Sequence, residues 1–308
     1  MRRLQIILKI IYIFILCYGC QSLKISQVQP DPLPWIKAPK SPIKVALVLG
    51  GGGSKGLAHL GVLDELEQAG IYPDLIVGCS SGGIIGALYA DNPHVKRLKS
   101  LLLNLKKSDL LDFSFFSSKY GFVKGASLRN FLERELRAIT FEELKIPLIV
   151  VATDLKTGEL VELGGGEVIP ALIATSAIPG VFKPVQYLGR YLIDGGMVNP
   201  VPVDVAKKFH PKVIIAVDVG EDLGTEDPLH FFCIVKRGIS ISHKQLSRYA
   251  MRNADVVVRM QFRDLGMFSD TFNQQIYDHG RNKTREVLPK IEKIIKERFL
   301  EFSKENSY

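Results

Sequence analysis

The chain has 308 residues, 46% of them hydrophobic, with 40 Lys and Arg against 32 Asp and Glu, for a net charge of +8. That length holds one substantial α/β core, or a core with a small appendage. The basic excess suits an anionic membrane surface or nucleic acid. No arginine-rich tract, zinc spacing or aromatic RNA motif accompanies it, so nucleic acid is set aside and the membrane reading leads. A generically basic soluble surface is the alternative. Of the four cysteines, Cys17 and Cys20 lie in the leader, and with Cys79 and Cys233 they show no spacing that suggests a disulfide framework or a metal site.

The N-terminus reads as a targeting segment. Arg2 and Arg3 precede an apolar run, Ile6 to Tyr18, broken only by Lys9. The run is short for a membrane span and fits a signal-peptide core over residues 1–19. It ends in Leu16-Cys17-Tyr18-Gly19-Cys20, which resembles the lipobox of bacterial lipoproteins. The resemblance implies cleavage before Cys20, lipidation of Cys20 and a place in the bacterial cell envelope. Cys17 and Tyr18 depart from the usual small residues, and an uncleaved hydrophobic anchor is the alternative. Residues 20–42 carry Pro30, Pro32, Pro34, Pro39 and Pro42, so they read as an extended tether.

From Ile43 the pattern becomes strand, then helix. Val45 to Leu49 is a continuous apolar run, as in a strand buried on both faces. A glycine loop follows, then a helix from about Leu57 to Ala69, with Leu60, Leu63 and Leu66 at helical spacing and Gly70 as its stop. Leu75 to Val77 forms a second strand, and Gly78 to Gly83 turn the chain into a helix through Leu88. Further strands are predicted at Pro147 to Ala152, Tyr191 to Ile193, Val213 to Val217 and Val256 to Met260. Helices are predicted near 95–105, 127–138, 203–209, 236–252 and 290–302. This alternation implies an α/β fold, a largely parallel sheet covered on both faces. Residues 106–126, with Phe113, Phe115, Phe116, Tyr120 and Phe122, fit no element. They read either as a flap beside an acyl-binding groove or as an insertion packing its own aromatics.

Three motifs carry chemistry. Gly78-Cys79-Ser80-Ser81-Gly82 is a G-x-S-x-G between a strand and a helix, the context that pushes a nucleophilic serine out of the sheet's end. The helix start favours negative charge nearby. Gly50 to Gly56 follows the first strand, and its unhindered N–H groups can converge on an oxyanion. The same stretch satisfies G-x-G-x-x-G, but the second strand ends in Cys79-Ser80 instead of a ribose-binding acid. A P-loop fails because Gly56, not Ser or Thr, follows Lys55. Asp194-Gly195-Gly196 follows a short strand, so the carboxylate can reach a neighbouring strand's serine. Asp-Gly pairs also form ordinary turns.

Together these motifs resemble the patatin-like phospholipase family, in its bacterial and neuropathy-target-esterase-like members. The matching stretches are the glycine loop with Gly51, Gly52, Gly53 and Gly56, the serine motif with Gly78, Ser80 and Gly82, and Asp194 with Gly195 and Gly196. Val151 to Leu155, Ala174 to Phe182 and Val198 to Pro202 also look like it. The resemblance covers residues 43–262, with its motif-bearing core at 45–208, and leaves 263–308 as a C-terminal helical extension. It implies a three-layer α/β/α fold, a Ser80–Asp194 dyad, an oxyanion hole at Gly51, Gly52 and Gly53, and hydrolysis of lipid acyl esters. No metal or other cofactor is called for. Gly50 stands where an acid often opens the loop, and Lys55 where Arg is usual, which removes a planar fork.

A dyad also fits the order of elements. Ser80 follows only the second strand, whereas an α/β-hydrolase has several strands before its nucleophile and a histidine after its acid. His210, His230, His243 and His279 follow Asp194, and none has a strand-end glycine context. The partners implied are a lipid substrate and a membrane surface. Ile291, Ile294, Ile295, Phe299 and Phe302 share one face of the last helix, which is expected to pack on the body.

Overall fold

In a computed structural model, which describes residues 30–34, 36, 42–112, 123, 125–220, 231–262 and 270–305, the apolar runs become one eight-stranded sheet. The strands are β1 (Val45–Leu49), β2 (Leu75–Cys79), β3 (Leu148–Asp154), β4 (Leu160–Leu163), β5 (Val185–Tyr187), β6 (Arg190–Asp194), β7 (Val213–Asp218) and β8 (Val256–Arg259). Their order is β5-β6-β3-β2-β1-β7-β8, with β4 also paired to β3. The five strands β3, β2, β1, β7 and β8 run parallel, and β4, β5 and β6 add an antiparallel margin.

The helices are α1 (Leu57–Gln68), α2 (Ser81–Asp91), α3 (Val95–Leu102), α4 (Lys107–Leu110), α5 (Ala126–Glu135), α6 (Val168–Thr175), α7 (Val203–Lys207), α8 (Phe231–Ala250) and α9 (Asn273–Glu305). The period-two alternation of a strand decides which layer each residue enters. Val45, Leu47 and Leu49 of β1 join the larger core with Leu60 and Leu63 of α1, Leu88 of α2 and Ile291 of α9. Ala46 and Val48 join the smaller core with Val203, Val205 and Ala206 of α7. Two cores on opposite faces of one mainly parallel sheet make the three-layer α/β/α architecture that the sequence implied.

The C-terminal helix is longer than predicted, starting at Asn273 instead of 290, and it shares the main core. It crosses α1 where both lack side chains: a Cβ on Gly61 would stand 2.2 Å from the Tyr277 carbonyl oxygen, and one on Gly280 would stand 2.2 Å from that of Ala58. Arg281 and Arg285 then reach the buried Glu65 of α1, at 2.5 and 2.8 Å. Ile291 is fully buried, and Ile294 and Ile295 pack on the core; the side chain of Phe302 lies outside the described residues.

Other departures are local. β4, β5 and α6 were not anticipated. The two strands are short margin pieces, and α6 carries Val168, Ile169 and Pro170 in its first turn, residues that mask a helical pattern. The expected tether is not wholly free of the body. Arg190 donates to the Asp31 carbonyl (2.7 Å), and Ile36 packs on the smaller core, because Ile36 gains more by burial than by extension. The leader with Cys20 and residues 113–122 of the expected flap lie outside the described residues.

Candidate active site

The parallel strands all end on one side, and that side collects the motifs. β1 runs into the glycine loop, β2 into Ser80 and β6 into Asp194. Because β1 lies between β2 and β7, the chain leaves it in opposite directions, which opens a crevice at its carboxyl end.

Ser80 sits between the end of β2 and the first residue of α2. Its backbone has φ 51° and ψ −124°, a strained conformation for a residue with a side chain. The surroundings hold it there. Ser80 N–H donates to Thr175 Oγ1 (3.0 Å), and that hydroxyl donates to the Val151 carbonyl (2.5 Å). Thr175 is wholly buried at the end of α6. Gly82 allows the turn to close on β1, since a Cβ there would stand 2.2 Å from the Leu49 carbonyl oxygen. Gly78 similarly meets Gly83 at 2.6 Å, and Gly56 meets Ser81 at 2.6 Å.

Asp194 ends β6, an antiparallel neighbour of β3, and this pairing brings it beside β2. The Ser80 hydroxyl donates to Asp194 Oδ2 at 2.6 Å across 114 residues of sequence. Gly196 N–H donates to Oδ1 at 2.7 Å, and the Cys79 thiol makes a weak contact with the same oxygen at 3.9 Å. Thr153 Oγ1 donates to the Asp194 carbonyl, which fixes the main chain as well (3.0 Å). Gly195 lies flat on β3, where a Cβ would stand 2.2 Å from the Val151 carbonyl oxygen. Both Ser80 and Asp194 are 6% exposed. Burial disfavours the Asp194 carboxylate and raises its pKa to about 6, against the pull of its hydrogen bonds from Ser80, Gly196 and Cys79. Burial, with the Asp194 charge beside it, pushes the Cys79 thiol up, so Cys79 is an inert filler.

The glycine loop is pinned at its root. Gly50 N–H donates to the Val217 carbonyl (3.0 Å), and the Gly50 carbonyl bonds His59 Nε2 of α1 (2.8 Å). His59 is wholly buried, which lowers its pKa to about 4, so the ring is neutral and serves as an N–H donor. Gly51 was expected to offer an oxyanion donor, but its N–H is committed to the Pro200 carbonyl at 3.0 Å. Its contribution is closeness, with a would-be Cβ 3.2 Å from Ser80 Cβ. Gly52 and Gly53 are the loop positions left to face an oxyanion. Gly53, at φ +60°, lines the same cavity as Ser80. Lys55 is buried and does not border that cavity.

The cavity, of about 150 Å³, runs from Ser80 between α2, α3 and α5. Its walls are apolar, with Ile84, Leu102, Leu110, Leu128, Phe131 and Phe182 among them. Leu110 comes from the segment 106–126, so the described part of that segment does border the groove. Thr175 and His59 escaped sequence reasoning. Only their places in an Ala-Thr-Ser run and an Ala-His-Leu run marked them. His243 of α8 stands nearer than expected, with Nε2 3.3 Å from where a Cβ on Gly196 would be, yet Ser80 meets Asp194 directly with no histidine between. His279 lies instead against Phe262, at 5.0 Å between ring centroids.

A strained serine between a parallel strand and a helix, bonded to a buried carboxylate and flanked by a glycine loop, defines a serine–aspartate α/β protein. Residues 47–207 match the model of the patatin-like phospholipase family, and the chain belongs to that family. Human patatin-like phospholipase domain-containing protein 6 is 33% identical over 191 residues, 59% of this chain and 14% of that protein. An uncharacterized NTE family protein of Mycobacterium tuberculosis is 32% identical over 192 residues, 61% of this chain and 52% of the relative. The chain thus spans about a seventh of the human relative and about half of the mycobacterial one. VipD from Legionella pneumophila shares the fold at a TM-score of 0.58 and 14% identity, covering 89% of this chain and 72% of that one.

Proposed function

We propose that the protein is a serine acyl-hydrolase that cleaves carboxylic esters of lipids. The observation that carries this is the 2.6 Å hydrogen bond from Ser80 to a buried Asp194 whose pKa is raised to about 6. A carboxylate of ordinary acidity is a poor base, and raising its pKa towards the working pH improves it. The apolar cavity that starts at Ser80 fits an acyl chain, and family membership supports the lipid reading.

The reaction then runs through an acyl-serine. Ser80 Oγ attacks the ester carbonyl carbon while its proton passes to Asp194 Oδ2. The carbonyl oxygen gathers charge beside the Gly52–Gly53 N–H groups and the start of α2. The C–O bond to the alcohol breaks, and the alcohol leaves with the proton held by Asp194. Water then attacks the acyl-serine, its proton goes to Asp194 and on to Ser80, and the free acid departs. A fluorophosphonate probe tests this. Labelling of the wild-type chain that disappears in Ser80→Ala supports the hydrolase. A folded protein that takes no label would instead be a lipid-binding module.

We also infer that the chain is an envelope lipoprotein, on the strength of the Leu16–Cys20 sequence. Cys20→Ala should then move it from the detergent phase to the aqueous phase; unchanged partitioning points to an uncleaved anchor.

A further inference from the structure

A buried hydroxyl normally has a hydrogen-bond partner, because one left unmet has given up water for nothing. Ser176 breaks this rule beside the dyad. It is 7% exposed, and its Oγ has no partner among the described residues. Its main chain is committed: the N–H donates to the Ile173 carbonyl (3.3 Å), and the carbonyl accepts from Ile178 N–H (2.9 Å). Only the hydroxyl is left over.

Its neighbours in sequence fix where it stands. Thr175 Oγ1 accepts from Ser80 N–H at 3.0 Å, and the Ala177 carbonyl accepts from Asp194 N–H at 3.0 Å. Ser176 therefore sits between the two residues that hold the members of the dyad, and with Ser80 it borders the apolar cavity. The order of the sheet gives its side. β3 and β6 lie on one side of β2, and β1 with its glycine loop lies on the other. Thr175 Oγ1 donates to the Val151 carbonyl of β3, so Ser176 is on the Asp194 side of Ser80, opposite Gly52 and Gly53. Ser81 borders the cavity with an unpartnered hydroxyl too, but on the glycine-loop side, its Oγ 2.6 Å from where a Cβ on Gly56 would be.

An ester offers two oxygens, and an alkyl chain filling an apolar cavity offers none. With the carbonyl oxygen at Gly52 and Gly53, the alkoxy oxygen lies across the carbonyl carbon from them, towards the Asp194 that returns its proton. That is the side of Ser176. We propose that the Ser176 hydroxyl is a catalytic donor to the alkoxy oxygen of the scissile ester, an inference that rests on Ser80 being the nucleophile of a hydrolase. As the C–O bond breaks, its electron pair stays on the alkoxy oxygen. Asp194 supplies the proton that makes the alcohol, and Ser176 holds the oxygen without giving up its own proton. The charge gathering on the leaving oxygen strengthens this hydrogen bond in the transition state. Release of the acyl group is the same step reversed, with water in place of the alcohol, so the same hydroxyl orients the water.

The test varies the leaving group at a fixed acyl chain, in the full chain and its Ser176→Ala variant. An alkyl alcohol needs help to leave, whereas p-nitrophenolate leaves unaided. In Ser176→Ala, kcat/KM for the alkyl ester should fall by about tenfold to a hundredfold, the range of one hydrogen bond to a charged group. For the p-nitrophenyl ester it should change by less than about twofold, since kcat/KM there reports acylation without that bond. Tm should hold or rise, because the hydroxyl removed has no partner in the free protein. Ser176→Cys, close in shape but a weak donor, should behave like the alanine variant. Equal losses on the two esters, or no loss on either, overturn the proposal. A lowered Tm also overturns it, since the hydroxyl would then have a structural partner. Wild type and Ser80→Ala are assayed alongside. A wild type that cleaves neither ester removes the hydrolase reading and this inference with it; an active wild type, silenced by Ser80→Ala but not impaired by Ser176→Ala, removes this inference alone.

Discussion

Replacing Asp194 by asparagine separates the chemistry of the site from its contribution to stability. The change is nearly isosteric, and the amide oxygen can still accept from Gly196 N–H, as Oδ1 does at 2.7 Å. It removes the base, so kcat/KM for an ester should fall by about 10²–10⁴. It also removes a buried charge. The Asp194 pKa is about 6 in the folded chain against 3.8 unfolded. The folded state therefore holds more protons than the unfolded state between these values, and wild-type stability falls as pH rises through them. At about 1.4 kcal/mol per pH unit, ionising Asp194 in place destabilises the protein by about 3 kcal/mol above pH 6. Asp194→Asn should thus melt later than wild type at pH 8, with the gap closing as pH falls from 6 towards 4. Urea unfolding at pH 8 and pH 4.5, beside ester hydrolysis, measures both effects. A stability difference that does not vary with pH would refute the buried-charge argument, and activity above about a tenth of wild type would refute the dyad.

The wild-type rate should itself fall below about pH 6, as Asp194 takes up a proton; a kcat/KM profile flat from pH 8 to 5 would exclude it as the base. Thr175→Val strips the hydroxyl that bonds Ser80 N–H and leaves that buried donor unmet, a loss of about 1–3 kcal/mol. It should lower kcat more than it raises KM, with Thr175→Ser restoring both; a normal kcat in the valine variant would show that the elbow holds without it. Gly52→Ala puts a Cβ 2.7 Å from Val219 Cγ2 and so displaces the loop, and kcat should drop by about 10²–10³ with little change in melting. Deleting residues 290–308 exposes the core beneath Ile291 and should lower Tm by several degrees; an unchanged Tm would deny α9 its packing role.

The fold was legible where burial on both faces left continuous apolar runs. Val45 to Leu49 and Val213 to Val217 read as strands because no solvent-facing residue interrupts them. The margin was less legible for the same reason. Val185 to Tyr187 is never fully buried, so its residues need not be apolar and no run marks it. The front half of α9, from Asn273 to Pro289, falls inside the expected helical extension 263–308 but outside the helix predicted near 290–302, because its fit to α1 depends on what is missing. Gly280 and Gly61 supply no hydrophobic signal, and Arg281 and Arg285 look like a solvated face until Glu65 is placed opposite them.

The site divides along the same line. Ser80 and the glycines stood out because they occupy backbone positions that few residues tolerate, and such positions leave short motifs; Asp194 was marked by the two glycines that follow it. Their supports did not, because a threonine or histidine that holds something buried has no motif of its own. Thr175 reaches Ser80 across 95 residues, and its role exists only once α6 is laid beside β2 and β3. Gly51 shows the converse. Its place in a glycine run suggested a donor for an oxyanion, but the run cannot say that Pro200 has already taken its N–H. The spacing of a motif therefore locates a reaction more firmly than it distributes the labour within it. Gly52 and Gly53, not Gly51, are where a backbone change should register first in kcat.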